Sequence, residues 1–255
     1  MEILIYLIIF IMGTFFGSFF TLAVYRIPKK EDILIKHSYC PNCNHKLGFF
    51  DLFPVLSYIF LGGQCRYCKQ KIRPRYLLLE LLSGLSFLIL AISTKINIFD
   101  MNSILNVFFL FIYTSVLFII AGIDKENIKI EKSVLVLGFC IEILYIIYQY
   151  ALKNFNVYQY VIYLIIFIIL FIVTNMNRRN KKTDYIIQIL YLSLYILIYS
   201  GYKTYIITSI LTMFTRLIYK KLTKKARNKV PLGFQLAVNN ILVIAILNII
   251  NNFII

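Results

Sequence analysis

Apolar runs of about 20 residues, each long enough to cross a bilayer's hydrocarbon core, recur along the whole chain. Of its 255 residues 60% are hydrophobic and only 15% charged, more apolar surface than a water-soluble core could bury. The runs are continuous rather than alternating, which excludes an outer-membrane barrel. The expected fold is therefore all-α: a polytopic membrane protein with about eight transmembrane helices, over roughly 3–25, 77–94, 104–123, 133–152, 157–176, 185–202, 204–219 and 231–253. The first run reads as a retained span rather than a signal peptide. Met1-Glu2 offers no basic leader, the run is too long, and no small-residue cleavage site follows. The expected organisation is a first helix over 1–25, a loop domain over 26–76 and a core of about seven helices over 77–255.

Lys and Arg set the orientation. Of the 27, ten fall in 26–76, three in 124–133, four in 177–184 and seven in 216–229; Lys95, Lys153 and Lys203 lie in the alternate loops. Cytoplasmic loops carry the excess positive charge, so both termini are expected outside and the four basic loops inside. The net charge of +16 fits this topology and an attraction to anionic inner-membrane lipids. No aromatic-basic RNA or DNA module is visible, so no nucleic acid is an expected partner.

Carboxylates are scarce. Asp184 is the only acidic residue in the 113 positions after Glu142, and it follows Arg178, Arg179, Lys181 and Lys182 at the start of an apolar segment. On the expected topology Asp124 ends the third span and Asp184 begins the sixth, both on the cytoplasmic side. One carboxylate at a membrane boundary is commonly a snorkelling charge. Two at matching depth, in a chain with five Asp, point to a site.

The long loop holds "CPNC" at Cys40–Cys43 and "CRYC" at Cys65–Cys68, with 21 residues between. Paired C-x-x-C knuckles at this separation read as one structural zinc site with Cys40, Cys43, Cys65 and Cys68 as ligands. Four ligands leave no open position for chemistry, and the metal would fold a loop with little apolar core. Disulfides are disfavoured in a reducing cytoplasm. His37 and His45 flank the first knuckle as alternative ligands, and Cys140, inside a span, reads as a packing residue.

"GSFFTLAVYRIP" (Gly17–Pro28), "SYCPNCNHKL" (Ser38–Leu47) and "FPVLSYIFLGGQCRYCKQKIRPRYLLLELLSG" (Phe53–Gly84) follow one another in an order that resembles the amino-terminal third of the type IV prepilin peptidases. That resemblance implies a bacterial inner-membrane endopeptidase. It would remove the short basic leader of prepilins or pseudopilins at the cytoplasmic face, and many members also methylate the new amino terminus with S-adenosylmethionine. It further implies two catalytic aspartates. Asp124 matches the first, in a pattern that ends in Ile/Leu-Pro and here reads Ile130-Glu131. Asp184 matches the second, a G-x-G-D motif written here "KKTD", with Lys181 and Thr183 in place of both glycines and Ile186 where the family usually has lysine. "KVPLGFQLA" (Lys229–Ala237) resembles a later family segment, with Gln235 in place of its second proline.

The chemistry stands on its own terms. Two carboxyl groups and a water hydrolyse a peptide bond, one taking the water's proton and the other donating to the carbonyl oxygen. Rival acids are Glu126 and Glu131 beside Asp124, Glu80 at the start of the second span, and Glu142, which must pair or face the bundle interior. No serine triad or H-E-x-x-H zinc-protease motif is present. Two readings follow: an active aspartic endopeptidase, favoured by the two surviving aspartates, or an inactive relative that binds or assembles pilin-like proteins, favoured by the missing glycines.

Overall fold

The computed structural model describes residues 2–33, 35, 37–154, 156–176, 181–222 and 230–254. They form helices α1 (Glu2–Arg26), α2 (Leu56–Phe60), α3 (Arg75–Ser93), α4 (Met101–Asn127), α5 (Lys132–Ala151), α6 (Val157–Met176), α7 (Lys181–Leu222) and α8 (Leu232–Ile249). Seven of these are long and apolar enough to cross a membrane. The basic residues expected to anchor the loops at 177–180 and 223–229 lie outside the described residues.

The sequence predicts eight spans and seven such helices are found. The difference lies in α7, which contains two of the expected segments. Gly201, at φ 77° and ψ 166°, breaks its helical path. Asn240 Nδ2 on α8 reaches Ser200 Oγ at 3.4 Å and Thr208 Oγ1 at 3.2 Å, while Asn239 Nδ2 reaches Thr212 and Thr215 at 3.1 and 3.0 Å. A straight helix would spread Ser200 to Thr215 over about 22 Å. Two adjacent asparagines meet both because the chain folds back at Gly201. The break frees the Tyr202 N–H, which donates to the Tyr163 hydroxyl of α6 at 3.1 Å, so this backbone group is not orphaned in an apolar surrounding.

The chain divides into two compact units, Met1–Ile98 and Phe99–Ile255. In the first, α1 and α3 pack along small residues. A methyl group at Gly17 would fall 2.1 Å from Ser83 Oγ, and one at Gly84 would fall 2.7 Å from Thr14 Cγ2. This Gly13/Gly17 spacing lets helices meet at backbone distance, as small-xxx-small pairs do in bilayers. Ser83 Oγ adds a hydrogen bond to the Gly13 carbonyl at 2.7 Å. In the second unit α8 is the central element, buried from Gly233 to Ala245 on its inward positions and packed against α4 and α7. Tyr113 on α4 donates to Asn240 Oδ1 at 2.7 Å. By contrast α6 buries only Tyr163, the profile of a lipid-facing helix.

Candidate functional site

Asp124 lies near the end of α4 and is fully buried. The Tyr185 hydroxyl donates to its Oδ1 at 2.8 Å and its Oδ2 at 3.0 Å, and the Phe234 N–H donates to Oδ2 at 2.9 Å. The Tyr185 oxygen in turn accepts from the Leu232 N–H at 2.9 Å and the Gly233 N–H at 3.4 Å. The first amides of any helix lack intrahelical acceptors, and Pro231, at the N-cap of α8, supplies no capping side chain. Asp124 and Tyr185 take that role from neighbouring helices. A carboxylate at this end also meets the positive end of the helix dipole. Gly233 leaves room for this approach, since a methyl group there would lie 3.0 Å from Asp124 Oδ2 and 3.1 Å from Ile130 Cδ1 and would press both side chains back by a few tenths of an ångström.

Asp184 sits half-buried in the first turn of α7. Its chain neighbour Tyr185 is the residue that reaches Asp124. One turn further, Gln188 Oε1 accepts from the Ile130 N–H at 3.0 Å. The first two turns of α7 are therefore tied to Asp124 at the end of α4 and to Ile130 in the segment that follows it. The other three aspartates have local structural work. Asp32 accepts from the Ile35 N–H at 3.0 Å, Asp51 pairs with Arg66 at 2.7 Å, and Asp100 caps α4 through the Asn102 and Ser103 amides.

The two sequence departures are compatible with this backbone. Helix α7 runs in helical conformation from Lys181, so Lys181 and Thr183 occupy positions that require no glycine. Glu131, where the family pattern has proline, has φ −78°, within the range that proline holds. Of the rival acids, Glu131 pairs with Lys129 at 2.8 Å, and Glu126 is exposed on the last turn of α4. Glu80 accepts the Val55 N–H at 2.7 Å. Glu142 faces the bundle interior, with no hydrogen-bond partner among the described residues.

Sequence reasoning missed Tyr185 and Gly233. Tyr185 lies in no motif, and Gly233 lies in the segment that resembles the family without that segment naming its role; both roles depend on α8 docking against the end of α4. The chain's linear order does not reveal that docking.

The four loop cysteines converge. One ligand atom from each of Cys40, Cys43, Cys65 and Cys68 lies within 4.8 Å of the others. The knuckles are local copies of one another. In each, the first cysteine's N–H bonds to the carbonyl five residues on, at His45 and Gln70, and Asn44 and Lys69 hold matching positive φ of 57° and 56°. The Gln70 N–H and the Asn42 amide bring the Cys68 thiol down to about 6. The His45 N–H works downward on Cys43, but desolvation and the thiols of Cys40 and Cys68 win and push it up to about 11. Four thiols this close cannot all ionise without a cation among them, and the geometry suits one. Cys40 Sγ to Cys68 Sγ is 3.8 Å, and a tetrahedral ion with about 2.3 Å Zn–S bonds sets its sulfurs about 3.8 Å apart. Neither histidine joins them: His45 stacks on Tyr67 with ring centroids 3.5 Å apart, and His37 offers only its carbonyl, to Arg26. Cys140, expected in packing, is exposed on α5.

Residues 11–94 match the family model of the bacterial peptidase A24 N-terminal domain. A prepilin leader peptidase/N-methyltransferase of Vibrio cholerae is 40% identical over 96 residues, 34% of this chain and 36% of the relative. The protein of the same name from Myxococcus xanthus is 39% identical over 79 residues, 31% of this chain and 24% of the relative. That of Bacillus subtilis is 32% identical over 129 residues, 51% of this chain and 49% of the relative. The chain thus spans about half or less of the length of these curated relatives. No solved structure matches it. Over residues 11–94 this chain is thus similar to the N-terminal domain of the bacterial A24 peptidases and to the prepilin leader peptidases/N-methyltransferases.

Proposed function

We propose that the chain is a membrane aspartic endopeptidase that removes the basic leader of type IV prepilin-like proteins, with Asp124 and Asp184 as the catalytic pair. One observation carries the reading: a buried carboxylate at the end of α4 is tied, through Tyr185, to the helical turn that bears the second aspartate. In this reaction one carboxylate takes a proton from water, and the resulting hydroxide attacks the scissile carbonyl. The partner carboxyl protonates the carbonyl oxygen, and a proton then passes to the leaving amine as the C–N bond breaks. Co-expression with a prepilin-like substrate tests the reading: the leader is lost with the unmodified protein and retained with Asp124→Asn.

The loop cysteines hold a structural Zn²⁺, remote from the hydrolysis in function because it has no open coordination position. A cavity of about 610 Å³ in the first unit is lined by Tyr25, Tyr39, Tyr76, Asp51 and Glu80. Its tyrosine rings suit the sulfonium and adenine of S-adenosylmethionine, which would supply a methyl group for the new amino terminus. Both chain termini face outward and the basic loops face the cytoplasm. A single cysteine introduced at Asn180 is expected to resist impermeant maleimide in intact cells and to react after permeabilisation.

Tyr185→Phe removes the hydroxyl from Asp124 and leaves the Leu232 and Gly233 amides without their acceptor. Buried polar groups left unpaired cost about 1–3 kcal/mol each. The expected outcome is a lower unfolding midpoint together with a fall in cleavage kcat of about tenfold or more at little-changed KM. The substitution disturbs a catalytic carboxyl rather than substrate contacts. Kinetics on a synthetic leader peptide, beside a thermal melt, check it.

A further inference from the structure

We infer that residues 48–63, in the middle of the loop assigned to the cytoplasm, form a re-entrant element that dips into the acyl region of the bilayer. Two contacts with membrane helices set its depth. The Phe53 ring packs edge-on against Phe15 of α1, with centroids 5.3 Å apart. Phe15 lies about 16 Å along the helix from Arg26, where the apolar span ends. The Val55 N–H donates to Glu80 Oε2 at 2.7 Å, and Glu80 lies about 7.5 Å inside α3 from Arg75. A methyl group on Gly17 of α1 would fall 2.7 Å from Glu80 Cα, so Gly17 is level with Glu80 and Phe15, two residues earlier on α1, lies about 3 Å deeper than Glu80.

The surface of the element is apolar. Phe50 is 78% exposed and Phe60 82%, with Phe49, Leu56 and Ile59 exposed beside them. The rings form a continuous series from the membrane helix outward, Phe15 to Phe53 at 5.3 Å, Phe53 to Phe49 at 6.3 Å and Phe49 to Phe50 at 5.8 Å. This face continues the exposed apolar side of α1 at Met12, Phe15, Phe16 and Phe19. Acyl chains are thus the occupant that fits it. In water the same patch would be an aggregation liability.

Irregular backbone survives at such depth only when its polar groups are satisfied within the protein. Here the N–H groups of Leu52, Leu56, Ser57, Ile59 and Leu61 bond to the carbonyls of Phe49, Pro54, Phe53, Val55 and Ser57. Pro54 has no N–H to satisfy, and the Val55 N–H goes to Glu80. Val55 adopts φ 64° and ψ −54°, a strained conformation for a β-branched residue, and the Glu80 carboxylate holds it at the bottom of the turn. The Asp51–Arg66 ion pair, with Tyr67 donating to Asp51 at 3.3 Å, ties the entry of the element to the second knuckle just beyond its exit.

The chain has no tryptophan, so single insertions report cleanly. Leu56→Trp and Phe60→Trp replace exposed side chains, and Lys46→Trp in the first knuckle serves as the aqueous reference. Each full-length variant is reconstituted in vesicles of phosphatidylcholine and phosphatidylglycerol. Indole fluorescence of the Leu56→Trp and Phe60→Trp variants is expected to be quenched by lipids brominated on their acyl chains and spared by aqueous iodide, with the reference showing the reverse. Iodide quenching of both loop variants, without effect of the brominated lipid, would overturn the assignment. Protection from both quenchers would overturn it too, since protein and not lipid would then cover the face.

Discussion

Asp124→Asn and Asp184→Asn are each expected to abolish leader cleavage, by about 10³-fold or more, with protein level and metal content unchanged. Asparagine preserves the shape of the side chain but can neither hold the charge nor exchange the proton. At Asp124 it still offers an oxygen to Tyr185 and to the Phe234 amide, so the α8 cap survives while the chemistry does not. The double variant is expected to be no worse than either single one, because residues that act as a unit are non-additive. Glu131→Gln and Glu126→Gln retain activity. Glu131 is engaged with Lys129, and Glu126 is exposed. Normal cleavage by Asp184→Asn would break the proposed pairing. Initial rates on one substrate, measured at matched enzyme concentration, decide between these outcomes.

The second large effect concerns the metal. Cys40→Ser, or removal of zinc with a strong chelator, is expected to leave the two knuckles, over 37–47 and 64–73, open to protease while the membrane helices stay intact. The knuckles are held by two isolated bridges, Tyr39 with Lys46 and Gln64 with Lys71, and by turns at positive φ. So small a hydrogen-bonded frame cannot fold alone, whereas structural zinc supplies about 10–16 kcal/mol in isolated finger peptides. Zinc content near one ion per chain, falling to near zero in the variant, is the measurement. Full metal content in Cys40→Ser would refute the four-thiolate site.

Much of this architecture was legible in the sequence because bilayer thickness fixes span length and charge marks the loops. The cysteine cluster was legible because C-x-x-C spacing itself builds a knuckle, and the structure shows two matching ones. Asp124 and Asp184 stood out through scarcity. What the sequence hid was tertiary. Tyr185 is an ordinary aromatic residue until α8 brings its free amides to it, and Gly233 is an ordinary glycine until Asp124 lies against it. The same holds for Glu80. Its position suggested a rival acid, but its partner is the strained Val55 amide, 25 residues away in the chain. The missing glycines of "KKTD" weighed against activity when read as letters. In the structure those positions are plain helix, which a lysine and a threonine hold without strain.

The most direct test is an intact-mass measurement on a prepilin-like substrate incubated in vesicles with the purified, zinc-loaded protein. The expected result is loss of the complete leader at a single peptide bond, absent when Asp184→Asn replaces the unmodified chain. An unchanged substrate mass, from protein with a full zinc complement and a folded loop, would contradict the account and leave the chain a binding relative of the peptidases.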